Sequence, residues 1–157
     1  MPLSDNRIVQ LAESAADVLT TICPSLHPDD AQSAAGLSTV LWARRAPDDA
    51  TWSYLLQGAV WAALATLRDD GLLGEWFAIP GGESLDKTPE TEPPDLPHLW
   101  DHPGLSDESR TLLMLRFRDG LSWRDVGDSA GIAASTAQRR SQNVLAWMRK
   151  TKWVKEA

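Results

Sequence analysis

Three histidines, one cysteine and three adjacent aspartate pairs are the residues of this sequence best suited to bond-making chemistry. His27, His98 and His102 lie in stretches of loop composition and form neither a ligand cluster nor a Ser/His/Asp spacing. No glycine-rich phosphate loop precedes a helical pattern. Asp29-Asp30, Asp48-Asp49 and Asp69-Asp70 could suggest cation binding or acid-base work, but each falls at an expected helix end, where the dipole and capping explain it. Cys23 has no partner for an intrachain disulfide and cannot alone build a zinc site, so it reads as a small buried hydrophobe. No catalytic residue, metal site or cofactor is expected, and the chain reads as a non-enzyme. Recognition chemistry is spelled near the other end. Ser135, Thr136, Gln138, Arg139 and Gln142 place donors and acceptors on the outward face of one helical pattern. Gln pairs bidentately with adenine and Arg with guanine, which makes Gln138 and Arg139 the expected base readers. Ser135 and Thr136 suit phosphate, and Arg149 and Lys150, continued by Lys152 and Lys155, form a basic tail for the flanking backbone.

The elements that must position these side chains are legible in the preceding residues. Ser106 can cap a helix whose first turn holds Asp107 and Glu108, with Leu112, Leu113, Leu115 and Phe117 apolar and Gly120 beyond its end. Ser122, three residues before Asp125, makes a variant of the capping box, and Leu121 and Val126 occupy the positions of a hydrophobic staple. The short helix that follows reaches about Ala130, Gly131 permits a sharp turn, and Ile132 can plug the junction. A third helix begins near Ala134, with an inward stripe expected at Ala137, Val144, Trp147 and Met148. A short helix, a glycine turn and a longer polar-faced helix make a helix-turn-helix.

The amino-terminal part also reads as helical. Ile8, Leu11, Ala12, Ala15, Val18 and Leu19 mark one face of a first helix capped by Ser4 or Asp5. Pro28-Asp29-Asp30 opens a second, expected to run to Arg44 or Arg45, and Pro47-Asp48-Asp49 repeats that opening for a third, which stops at Asp69-Asp70-Gly71. Leu72 to Ile79, with Trp76 and Phe77, could cover one end of this bundle. Trp52 aligns with the core face of the third helix. Trp61 lies off it, and its expected place is a partner or dimer interface or, alternatively, an edge of the core. Pro80 to Pro97 has linker composition. The expected fold is therefore all-α: an acidic three-helix bundle over 1–79, a flexible linker over 80–104, and a helix-turn-helix domain over 105–157.

Charge follows the same division. The chain of 157 residues carries a formal −7, which alone argues against a uniformly basic nucleic-acid coat. Residues 1–105 hold 5 basic against 16 acidic side chains, whereas 106–157 hold 10 against 6. An acidic body tethered to a basic head should disfavour non-specific DNA approach, or even cover the basic face until a partner removes it. No apolar run reaches the roughly 18 residues of a membrane span, and Met1 to Asn6 lacks a signal-peptide pattern, so a soluble, cytoplasmic protein is expected.

The run Leu105-Ser106-Asp107-Glu108-Ser109-Arg110, then Leu113-Met114-Leu115-Arg116-Phe117, Gly120-Leu121-Ser122-Trp123, Val126-Gly127, Gly131-Ile132 and Ser135 to Arg140 resembles region 4 of sigma-70-type factors. It is most similar to the extracytoplasmic-function group, over about a third of the chain. The resemblance implies a helix-turn-helix that reads a promoter −35 element and touches the flap of RNA polymerase. The chain departs from that family at Ala133, where Ser or Thr commonly caps the recognition helix, and at Gln138, where a basic residue is frequent. Pro28 to Trp42, Trp52-Ser53-Tyr54 and Leu67-Arg68 have an outline loosely similar to sigma region 2. The acidic-aromatic clamp signature is not legible there, so autonomous promoter melting is not expected. The expected function is a DNA-binding transcription regulator resembling a diverged sigma factor, with double-stranded DNA and RNA polymerase as partners and a phage origin compatible with its size. The alternatives are a subunit like a phage small terminase and a helix-turn-helix retained only for protein binding.

Overall fold

The computed structural model describes residues 3–23, 26–69, 71 and 98–151, and every regular element among them is helical. Helix α1 spans Asp5–Ile22 and starts where Ser4 Oγ accepts from the Arg7 amide at 3.3 Å. Helix α2 spans Pro28–Arg45, with proline in its first turn, Asp29 and Asp30 at the positive end of the dipole, and Arg44 and Arg45 at the negative end. Both boundaries match the sequence expectation.

Helix α3, Trp52–Asp69, starts later than expected. Pro47 to Ala50 closes a turn of its own, with the Ala50 amide donating to Pro47 O at 3.1 Å, and Thr51 Oγ1 accepts from the Tyr54 amide at 3.2 Å. The proline and acidic pair that open α2 are thus used here to bend the chain, and a threonine takes over as cap.

Helix α3 is buried on most of its circumference, from Trp52 through Leu55, Leu56, Ala59, Val60, Trp61, Ala63 and Leu64 to Leu67. Such a helix is a core element rather than a surface one. This corrects the interface placement of Trp61: it is 6% exposed and belongs to the main core cluster. Trp52 is buried as expected, with the Arg7 guanidinium 4.2 Å from its ring centroid.

Residues 98–104, expected as the end of a linker, are built into the fold. Leu99–Asp101 forms a 3-10 turn, Leu99 is buried in the main cluster, and His102 Nδ1 accepts from the Gly104 amide at 2.9 Å. The rest of the expected linker and the Leu72 to Ile79 segment lie outside the described residues.

Helix α4, Asp107–Leu113, is capped by Ser106 Oγ, which accepts from the Ser109 amide at 3.2 Å. It continues into a π-helical turn over Met114–Arg118, closed by the Asp119 amide donating to Met114 O at 3.0 Å. Widening the helix here turns two successive side chains, Arg116 and Phe117, inward together. Helix α5 spans Trp123–Ala130 and α6 spans Ala134–Thr151.

Two cores result. A small one joins α4, α5 and α6 through Leu112, Val126 and Ala137, with Leu115, Leu121, Trp123 and Ile132 packed around it. The large one is continuous from α1, α2 and α3 into the carboxy-terminal helices, because Leu113, Phe117, Leu145 and Met148 are buried in the same cluster as Leu11, Leu19 and Leu64. Among the described residues, no helix is long and apolar enough to cross a membrane.

Candidate nucleic-acid interface

The short helix α5 is held at both ends by local chemistry. Ser122 Oγ accepts from the Asp125 amide at 3.2 Å, which is its half of the capping box. At the other end Gly131 sits at φ 73° and ψ 28°, a left-handed conformation that β-carbon-bearing residues adopt at a cost. The Ile132 amide then returns to Gly127 O at 2.9 Å, closing the turn. Gly127 is needed for another reason: a Cβ there would lie 2.6 Å from Ile132 O and 3.0 Å from the Ala134 nitrogen. The bare backbone of α5 is what lets the start of α6 come so close.

Helix α6 begins without a side-chain acceptor, since Ala133 precedes it and supplies only its carbonyl, which accepts from the Ala137 amide at 2.9 Å. Replacing Ala133 by Ser should add the missing acceptor. The Ala133→Ser variant is expected to be more stable by about 1 kcal/mol in denaturant unfolding. An unchanged or lowered midpoint would show that the residue before α6 cannot adopt cap geometry.

The inward stripe of α6 is Ala137, Ser141, Leu145 and Met148, all fully buried. Trp147, expected on that stripe, is instead 42% exposed and lies beside His102, ring centroids 4.9 Å apart. Leu145 takes the inward place because the core seam steps by four, four and three residues from Ala137.

Of the nine side chains expected to meet DNA, Lys152 and Lys155 lie outside the described residues, and the other seven divide into two groups. Ser135, Gln138, Arg139 and Lys150 are exposed, and Thr136 is half-buried beside them. Gln142 and Arg149 turn toward α1: Gln142 Nε2 donates to Asp17 Oδ2 at 3.4 Å, and Arg149 Nη2 donates to Thr20 Oγ1 at 3.1 Å. Asn143, one turn beyond Arg139, is the exposed polar side chain that takes the outward position expected of Gln142. The four-residue step from Ser135 to Arg139 to Asn143 was the signal for it. Arg140 is exposed and forms an ion pair with Glu108 of α4.

Helix α1 is bonded along this whole module. Arg7 Nη1 and Gln10 Nε2 donate to Gly120 O at 2.6 and 2.9 Å, and Gln10 also reaches Leu121 O at 3.1 Å. Arg116 is 3% exposed. Its Nη1 donates to Leu121 O at 3.0 Å, its Nη2 lies 3.8 Å from Glu13 Oε2, and its guanidinium stacks 4.4 Å from the Trp123 ring centroid. Burial pushes the Arg116 pKa down, opposed by Asp17 and Glu13.

Asp17 carries a pH signature. Burial raises its carboxyl pKa above the ordinary 3.8, and the Gln142 hydrogen bond with Arg116 and Arg149 only partly offsets this. A raised folded-state value means that the native protein binds this proton more tightly than the unfolded chain does. Its contribution to stability is full below about 3.8 and is lost as pH rises through the folded value. Asp17→Asn, which keeps an acceptor for Gln142, is expected to raise the unfolding midpoint at pH 7 and to leave it unchanged at pH 3. A decrease at pH 7 would show that the arginines outweigh burial.

Elsewhere, burial pushes the Cys23 thiol up to about 12, in keeping with an inert apolar role. Among the described residues, no group of three or more His, Cys, Asp or Glu could hold a metal ion. Comparison of the chain with protein-family models, with curated proteins and with solved structures finds no significant match.

Proposed function

We propose that this chain is a sequence-specific DNA-binding transcription regulator, non-enzymatic and resembling a diverged sigma factor, that reads promoter DNA with the amino-terminal half of α6. The observation that carries the proposal is the set Ser135, Gln138 and Arg139, exposed together on the first turns of a helix that follows a capped short helix and a left-handed glycine turn. A recognition helix presents its first turns to the major groove in this way. Gln138 and Arg139 read base edges, Ser135 and Thr136 contact phosphate, and Lys150 holds the flanking backbone. The sigma-like motif over Leu105 to Arg140 makes RNA polymerase the partner of choice and the cytoplasm the place of action, and a phage-encoded regulator fits the same features.

Selection from a randomised duplex library with the full chain tests the reading. A single enriched motif is expected, together with retention of core RNA polymerase on the immobilised chain. No enrichment over input DNA would contradict DNA reading, and no retention of polymerase would contradict the partner. A second reading, a helix-turn-helix kept for protein contacts alone, draws on Gln142 and Arg149, which are engaged by α1 rather than presented outward. It predicts polymerase retention without any enriched motif.

A further inference from the structure

Helix α2 buries Ala31, Ala34, Ala35, Ser38, Thr39 and Trp42 against its neighbours. Its opposite face carries Ser33, Leu37, Leu41 and Arg44 in the open, with Asp30 and Val40 half-buried at its margin. Leu37 is 61% and Leu41 45% exposed, so two of the large apolar side chains left in water lie one turn apart on this stripe. Exposed leucines alone would not say what covers them. The charges flanking them do.

Asp30 and Arg44 lie seven residues on either side of Leu37, and Asp29 and Arg45 lie eight. Seven residues are two helical turns, so Asp30, Leu37 and Arg44 share one face, spaced about 10 Å apart. A two-fold axis through Leu37, perpendicular to the helix, brings α2 antiparallel to α2 of a second copy. Leu37 then meets its own equivalent, Leu41 lies across from Ser33, and Asp30, within about 20° of the Leu37 direction, meets Arg44 of the second copy. A surface of this kind is self-complementary in the sense an isologous dimer requires. A parallel pairing would set acid against acid at one end and arginine against arginine at the other. Arg44 and Arg45 make no ion pair among the described residues, so neither is committed there. Gly36, beside Leu37, has open space where a Cβ would stand, which leaves room for a facing helix.

We infer that the chain forms an antiparallel homodimer through the outer face of α2, centred on Leu37. The inference concerns assembly and does not rest on DNA reading. The apolar centre is only Leu37, Val40 and Leu41 from each copy, so the dimer is small and dissociates on dilution.

Sedimentation equilibrium of the full chain, without DNA, is the test, at loading concentrations up to about 200 µM. The wild type is expected to show a reversible monomer–dimer equilibrium. Leu37→Glu, a change at an exposed site, is expected to be monomeric with unchanged helical circular dichroism. Arg44→Glu is expected to weaken the dimer about tenfold, since it places like charges together twice per dimer. Adding Asp30→Arg to Arg44→Glu exchanges the charges and is expected to restore association. A monomeric wild type, or a dimer that Leu37→Glu and Arg44→Glu leave intact, would overturn the inference. Failure of the exchanged pair to regain association while its helical signal persists would overturn the antiparallel register.

Discussion

Phe117→Ala is expected to lower the stability of the whole chain by about 3–5 kcal/mol. Phe117 is fully buried in the cluster that α1, α2 and α3 share with the carboxy-terminal helices. It reaches that position because the π-helical turn over Met114–Arg118 rotates it inward beside Arg116. Truncating it removes the largest apolar side chain that α4 and the π turn contribute to the common core, and leaves a cavity that capped helices on either side cannot easily collapse. Native proteins are stable by roughly 5–15 kcal/mol, so the loss takes a large fraction of the total. Urea unfolding followed by tryptophan fluorescence and by far-ultraviolet circular dichroism should show both signals moving to a lower midpoint together. Two separated transitions, with only one displaced, would mean that α1 to α3 and α4 to α6 are not one cooperative unit.

On the motif obtained by selection, Gln138→Ala and Arg139→Ala are each expected to cost about 1–3 kcal/mol, or roughly 5- to 150-fold in affinity. The loss should be confined to the selected sequence, because both side chains are exposed at the start of α6 and are engaged by no other element among the described residues. Lys150→Ala should weaken all sequences alike and reduce the salt dependence by about one phosphate contact. Gln142→Ala should behave differently again, since its side chain bonds Asp17 and not the exterior. Quantitative gel shifts on selected and scrambled duplexes distinguish these cases. Equal losses on both duplexes for Arg139→Ala would mark it as a phosphate contact and remove it from base readout.

Features governed by neighbours in the chain were legible in the sequence. Ser4, Ser106 and Ser122 cap the helices they precede, Gly131 takes the left-handed turn, and α2 runs between Pro28 and Arg45. The start of α3 was misread because proline and two acids suit a turn as well as a helix opening, and the choice is made by Thr51 further on. Features governed by distant packing were not legible. The periodicity of α3 separates a main stripe from Trp61, but a helix enclosed by two others buries both. The polar side chains of α6 follow one another at similar spacing, and nothing local says that α1 will take Gln142 and Arg149 while leaving Gln138 and Arg139 outside. Nothing in the residues beside Arg116 marks it for burial. Its burial depends on the π turn and on Glu13, Leu121 and Trp123 arriving together.

The charge division survives in a different arrangement. An acidic body tethered to a basic head was the expectation, with the body free to cover or release the head. Instead α1 bonds the Gly120–Leu121 carbonyls, Gln142 and Arg149, and leaves the first turns of α6 outside. A carboxy-terminal fragment would uncover Phe117, Leu145 and Met148, so DNA binding is best measured on the full chain.

The most direct measurement is a cycle that pairs the full chain and its Arg139→Ala variant with the selected duplex and a duplex whose contacted guanine is replaced. If Arg139 reads that base, either change alone weakens binding by about tenfold or more and the second then adds little, a coupling of about 1–3 kcal/mol. Independent, additive losses, or a full chain that binds the selected duplex no better than random DNA, would contradict sequence reading by α6.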